Sequence, residues 1–226
     1  DVDKSLSDLS RYLRQNNENT TLYSTPEETR ALITKFKCQD DRDSYDYVYS
    51  TEEQVRLLGT KFGKYRRRVN GFITSNLDSI VINEFDLSKP DNFNHVVNSL
   101  HTWKRTYELG GNDVERWESR AISKSFKYCN ELKLRCIAII IDSKIEAFTL
   151  FSINEDHSIA DIHHTKCSYE HRNIFDFTLF ATASKLRTER IQSMNLEQDL
   201  GIEGLREHKL GLRPANFLKK FTVFLA

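Results

Sequence analysis

Leu134-Arg135-Cys136-Ile137-Ala138-Ile139-Ile140-Ile141, then Asp142-Ser143, then Lys144 to Ile153, is the stretch that decides the fold. Its first run is the most apolar in the chain, its second is rich in aromatic and β-branched residues, and Asp142-Ser143 between them is turn chemistry. A second turn over Asn154 to His157 leads into a third run, Ile159 to Lys166. Three such runs joined by tight turns predict an antiparallel meander.

Upstream of the meander, Val114 to Leu132 and His95 to Leu109 read as helices, the latter stopped by Gly110-Gly111. Lys89-Pro90-Asp91 separates them from an alternating strand, Ser79 to Phe85. Earlier still come a helix over Lys61 to Phe72, a short helix capped by Ser50-Thr51-Glu52-Glu53 and ending at Gly59, and a strand over Tyr45 to Tyr49. Lys37 to Ser44 is a polar, acidic connection. The first forty-odd residues read as helical, with Thr25-Pro26-Glu27-Glu28 as a capping box that launches Thr29 to Lys37. Downstream follow a helix (Arg172 to Arg187), a strand (Ile191 to Met194), a short helix (Glu203 to Leu210) and a last strand (Phe217 to Leu225). That order predicts an α/β (α+β) fold, a mixed central sheet with helices on both faces, preceded by a helical segment over 1–44. It is also the succession of the acyl-CoA N-acyltransferase fold.

The chain has 226 residues, 38% hydrophobic, with 8 glycines and 3 prolines, which fits a globular core and excludes collagen-like and disordered classes. Cys136 to Ile141 is far shorter than the roughly 20 apolar residues that span a bilayer, so no transmembrane segment is expected. The chain opens at Asp1 and not at methionine, which leaves open whether it is a fragment. Lys plus Arg is 33 and Asp plus Glu is 33. With no net charge, a polyanion has to be met by a local patch. Cys38, Cys129, Cys136 and Cys167 form no C-x-x-C pair and read as free thiols of a reducing cytoplasm. Metal-ligand spacings, a G-x-S-x-G elbow and a P-loop are all missing, so neither zinc nor the common hydrolase and nucleotide chemistries are expected.

Two stretches can carry chemistry. In Asn195-Leu196-Glu197-Gln198-Asp199-Leu200-Gly201-Ile202-Glu203-Gly204-Leu205-Arg206-Glu207-His208-Lys209, acids at a strand end lead through a glycine turn into a helix bearing Arg206 and Lys209. Carboxylates and cations are thereby expected at one cleft, where α/β sheets bind ligands, the plainer alternative being a turn rich in surface ion pairs. Lys61, Lys64, Arg66, Arg67 and Arg68 put five cations within eight residues, a phosphate-binding patch or a solvated helix face. His163 and His164 are expected on opposite faces of a strand, and Cys167 is expected to be inert.

Asn195 to Lys209 with Pro214 resembles the closing motif of the phosphatidylglycerol lysyltransferase carboxy-terminal domain family, the catalytic part of aminoacyl-phosphatidylglycerol synthases. Asp46 to Tyr49, Leu58 to Phe62 and Arg66 to Phe72 resemble that family's strand, leucine-glycine step and basic helix, and Ile145 to Phe148 with His163 to Lys166 are a third, weaker match. Arg67 stands where many relatives have asparagine, and Thr165 where an acid commonly precedes the lysine. The family carries two tandem acyltransferase-like repeats, which implies that 1–44 is the remnant of a first repeat and 45–226 the second.

The resemblance implies transfer of an aminoacyl group from aminoacyl-tRNA to a hydroxyl or amine on a lipid head group or small molecule. An activated ester needs no cofactor and no metal. It needs a base, oxyanion donors and cations for phosphate. Glu197 or Asp199 is then the base with Asn195 as its orienter, His163 a further catalytic candidate, Arg206, Lys209 and Lys166 substrate-binding, and Lys61, Lys64, Arg66, Arg67 and Arg68 the tRNA patch. Two other readings stay open: an acetyl-CoA-dependent N-acyltransferase, against which Cys167 to Arg172 lacks the glycine-rich pyrophosphate turn, and a non-catalytic binding module.

Overall fold

The computed structural model describes residues 1–96 and 113–225. It divides into two compact units, Ser50–Asn195 and Asp1–Tyr49 with Leu196–Ala226.

The Ser50–Asn195 unit holds the meander. Strands β4 (Ile80–Phe85), β5 (Arg135–Ile141), β6 (Lys144–Ile153) and β7 (Ile159–Cys167) pair antiparallel in chain order, and β8 (Ser193–Asn195) joins β7 in parallel, so the sheet is mixed. Asp142 and Ser143 both have positive φ, 48° and 66°, the twist that a two-residue hairpin between right-twisted strands requires. Alternation along β5 buries both faces. Cys136 and Ala138 pack with Phe148 and Leu150 of β6 against Ile122 and Phe126 of α6 (Asp113–Lys127), while Ile137 and Ile139 point the other way and are equally buried. Helix α7 (Ile174–Thr188) lies against β5, β6 and β7 and is backed by α3 (Thr51–Arg56) and α4 (Gly63–Asn76), with Phe72 stacked on Phe177 at 4.6 Å. Ser50 caps α3 by accepting the Glu53 N–H, as its sequence motif predicts. Residues 90–96 are helical (α5); the rest of the helix expected over His95 to Leu109, with Trp103, lies outside the described residues, as does the side chain of Trp117.

In the other unit the sequence reading needs correction. Helix α1 (Val2–Gln15) forms, and Val2, Leu6, Leu9 and Leu13 lay an apolar stripe on Ile33, Val223 and Leu225. Beyond it the chain is not helical throughout. β1 (Thr21–Pro26) and β2 (Lys37–Asp40) flank β10 (Lys220–Phe224) in an antiparallel sheet, and α2 stops at Ala31 (Glu27–Ala31). The capping box expected at Thr25-Pro26-Glu27-Glu28 does not form: Thr25 belongs to β1, Pro26 is the N-cap and no side chain caps the helix, which starts at Glu27, and the ladder offered by β10 overrides the helical propensity on either side of it. The expected strand over Phe217 to Leu225 likewise divides at Lys219. β9 (Asn216–Leu218) pairs with β3 (Asp46–Ser50), whereas β10 serves β1 and β2. Ser10 Oγ and Arg14 Nη2 both donate to the Leu225 carbonyl, at 2.6 and 3.1 Å, fixing α1 on the last strand.

Candidate functional site

The polar segment that follows Asn195 is held by backbone first. Leu196 N–H donates to the Tyr47 carbonyl and Tyr47 N–H to the Glu197 carbonyl, which ties the segment to β3. Glu197, Leu200 and Gly201 all have positive φ (57°, 56° and 71°), and the resulting tight turn enters α8 (Glu203–Gly211). At Gly201 a Cβ would lie 2.8 Å from Asp43 Oδ2. Gly201→Ala is therefore expected to lower the unfolding free energy by about 1–2 kcal/mol, from left-handed strain and the displaced carboxylate together, as read by urea denaturation.

Inside this turn Asp199 is fully buried and saturated. Its Oδ1 accepts the Gly201 N–H and Arg206 Nη2, both at 2.9 Å, and its Oδ2 accepts Arg206 Nε at 2.8 Å and the Tyr47 hydroxyl at 2.5 Å. Burial pushes the carboxyl up, but the Arg206 and Tyr47 hydrogen bonds outweigh it and hold Asp199 well below the usual carboxylate range. Arg206 also pairs with Asp43 at 2.5 Å, and its own pKa is raised by both acids. Arg42 closes the cluster. Its guanidinium sits 5.1 to 5.3 Å from the ring centres of Tyr45, Tyr47 and Phe217, donates to the Tyr47 hydroxyl at 2.9 Å and stands 3.5 Å from Asp199. Two guanidinium groups thus balance two carboxylates. Arg206, with 32% of its side chain exposed, makes its hydrogen bonds among the described residues through Nε and Nη2.

Lys209 is buried one helical turn further on. Its Nζ donates to the carbonyls of Leu196, Glu197 and Gln198 at 2.6, 3.1 and 2.7 Å, using all three ammonium hydrogens on the turn's own backbone. Burial pushes this ammonium down to about 8. Glu197 is half-buried. So the structure brings Asp199, Arg206 and Lys209 together around one turn, and adds Arg42, Asp43 and Tyr47. Those three lie outside the sequence candidates: Arg42 and Asp43 fall in the polar connection over Lys37 to Ser44, and the signal available for them is the aromatic neighbourhood of Tyr45 and Tyr47.

The remaining candidates belong to the Ser50–Asn195 unit. Asn195 donates to Asp161 at 3.0 Å across the parallel β7–β8 pair. A register shift places His164 opposite Leu150 and Ile162 opposite Phe151, so His163 is the extra residue of a β-bulge. His163 Nε2 lies 2.9 Å from Ser152 Oγ, and His164 Nε2 lies 3.1 Å from Ser125 Oγ on α6. Lys166 is half-buried on β7, and burial pushes the Cys167 thiol up to about 12. The five cations separate by role. Arg66 donates to the carbonyls of Leu57 and Gly59, and Arg68 makes a bidentate pair with buried Asp176 at 2.7 and 2.9 Å. Lys61 pairs with Glu53 and is exposed, as are Lys64 and Arg67; Lys64 and Arg67 have no ion-pair partner among the described residues. Lys64 and Arg67, three apart on α4, share one helix face, whereas Lys61 lies in the turn before it.

The fold is that of the acyl-CoA N-acyltransferases: a tandem GNAT protein from the clavulanic acid biosynthesis pathway matches 97% of this chain over 68% of its own, with 10% identity and a TM-score of 0.52. Within that class the chain belongs to the phosphatidylglycerol lysyltransferase C-terminal family, whose model matches residues 1–224. The C-terminal domain (DUF2156) of a putative lysylphosphatidylglycerol synthetase from Agrobacterium fabrum matches 98% of this chain and 72% of its own, with 15% identity and a TM-score of 0.70. A conserved protein of unknown function from Bacteroides thetaiotaomicron VPI-5482 matches 100% and 76%, with 24% identity and a TM-score of 0.86. No curated protein matches the chain. Among the described residues, no helix is long and apolar enough to cross a membrane.

Proposed function

We propose that this chain is an aminoacyltransferase that moves an aminoacyl group from aminoacyl-tRNA to a hydroxyl or amine acceptor, a lipid head group or a small molecule, in the cytoplasm. The observation that carries the reading is the family match over residues 1–224. The exposed cations Lys64 and Arg67, which have no ion-pair partner among the described residues, support it, since tRNA phosphate needs cations that are not consumed by internal pairing. Attack on an aminoacyl ester forms the new ester or amide bond, releases the tRNA ribose hydroxyl, and takes one proton from the acceptor, so neither cofactor nor metal enters the chemistry. Asp199 is saturated by Arg206, Tyr47 and Gly201, which leaves Glu197 as the carboxylate for the acceptor's proton. Arg206 Nη1 offers its hydrogens to an anionic oxygen of the substrate.

The test is titration with charged tRNA and, separately, acetyl-CoA at two salt concentrations. Charged tRNA is expected to bind with affinity that falls steeply with salt, and Lys64→Ala and Arg67→Ala are each expected to flatten the log–log salt slope by about 1. Coenzyme binding without a tRNA effect would transfer the protein to the acetyl-CoA-dependent enzymes; binding of neither would make it a non-catalytic module.

A further inference from the structure

Glu146 of β6, with Glu170 and His171 of the segment between β7 and α7, bring one imidazole nitrogen and two carboxylate oxygens within 4.8 Å of one another. We propose that these three residues form a binding site for a first-row divalent transition-metal ion of the zinc type, one that clamps the β7–α7 segment to β6. The inference stands apart from the transferase reading, whose chemistry needs no metal.

Three observations support it. First, the donor set is mixed. Ligands around a zinc ion at about 2.0–2.1 Å in tetrahedral array lie roughly 3.4 Å apart, and His171 Nε2 already stands 3.8 Å from Glu146 Oε2. Glu170 is exposed, which leaves its side chain room to rotate toward the other two donors. Second, the one ion-pair partner of Glu146 among the described residues is His171, which carries charge only when protonated. The Glu146 side chain is only 13% exposed and faces a second carboxylate, and among the described residues no lysine or arginine pairs with either acid. Repulsion between two carboxylates at this separation, in a half-dry setting, is relieved by a dication far better than by one imidazole. Third, the geometry is set by the sheet. Ala147 and Cys167 are cross-strand partners, and the Ser168 N–H donates to the Glu146 carbonyl at 2.7 Å, so the ladder brings the loop donors back over Glu146. Three protein ligands leave at least one coordination position for water or a ligand oxygen.

Isothermal titration of the chelator-treated protein with Zn²⁺, followed by Co²⁺ as a spectroscopic probe and Ca²⁺ as a control, tests the site. The expected result is one Zn²⁺ per chain, a Co²⁺ visible spectrum, at least tenfold weaker Ca²⁺ binding because calcium rejects imidazole, and roughly a hundredfold loss of Zn²⁺ affinity in Glu146→Gln and His171→Ala. Exposed Glu170→Gln, which touches no core contact, is expected to lose about tenfold, and far-UV circular dichroism on all three variants separates lost ligation from lost fold. Absence of saturable Zn²⁺ binding would overturn the proposal. So would Zn²⁺ binding that all three folded variants retain, or Ca²⁺ binding as tight as Zn²⁺.

Discussion

Replacing Asp199 with alanine is expected to lower the unfolding free energy by about 3 kcal/mol at pH 7, the largest single effect in the Asp1–Tyr49 and Leu196–Ala226 unit. Breaking a buried ion pair from one side typically costs about 3–5 kcal/mol, because the partner is stranded in low dielectric. The lower figure applies here because Arg206 keeps Asp43 and reaches solvent with a third of its side chain. The Tyr47 hydroxyl and the Gly201 N–H lose their acceptor in the same step. The pH dependence follows from the sign of the shift. The folded carboxyl titrates below its unfolded value of about 3.9, so its contribution is complete above roughly pH 4 and is lost as the pH falls below that. Urea titrations of the parent chain and of Asp199→Asn are therefore expected to differ most at neutral pH and to converge in acid. A constant gap down to pH 2 would show that Asp199 acts through packing and not through charge.

Arg68→Ala is expected to cost about 3–5 kcal/mol, while Arg67→Ala beside it changes stability by less than about 0.5 kcal/mol. The reason lies in what each leaves behind. Asp176 is 5% exposed and takes both of its strong hydrogen bonds from Arg68, so removal of the guanidinium strands a charge in the core beside the Phe72–Phe177 stack. Its place in the first turn of α7 offsets part of that penalty through the helix dipole, though by no more than about 1 kcal/mol. Arg67 is exposed and leaves only water. Thermal unfolding of the two variants reads the difference directly, and equal midpoints would refute the separation of structural from surface cations.

That separation also marks where the sequence stops being legible. Five cations in a row of eight announce a basic helix, but whether a given arginine faces water or a buried acid depends on Asp176, more than a hundred residues later. The meander could be read because its information is local: apolar alternation within each run, turn residues between them. β1 and β2 could not, because the strand that pairs with both comes from the far end of the chain, and β1 carries a helix-start signal in Thr25-Pro26. The same holds for the site. Asn195 to Lys209 stands out by its density of acids, cations and glycines, yet nothing in it tells that Lys209 spends its hydrogens on three carbonyls, or that Arg42 and Asp43 complete the cluster.

A unit made from Asp1–Tyr49 and Leu196–Ala226 imposes an order of events on synthesis. As the chain leaves the ribosome, Thr21–Pro26 and Lys37–Asp40 emerge early but have no ladder until Lys220–Phe224 follows, whereas every strand of the Ser50–Asn195 sheet finds its neighbour sooner. The nascent protein thus carries these two segments, and Asp46–Ser50 whose partner Asn216–Leu218 is also still to come, as unpaired strands during the making of its other unit, the interval in which chaperone capture or edge-to-edge association has most time to act.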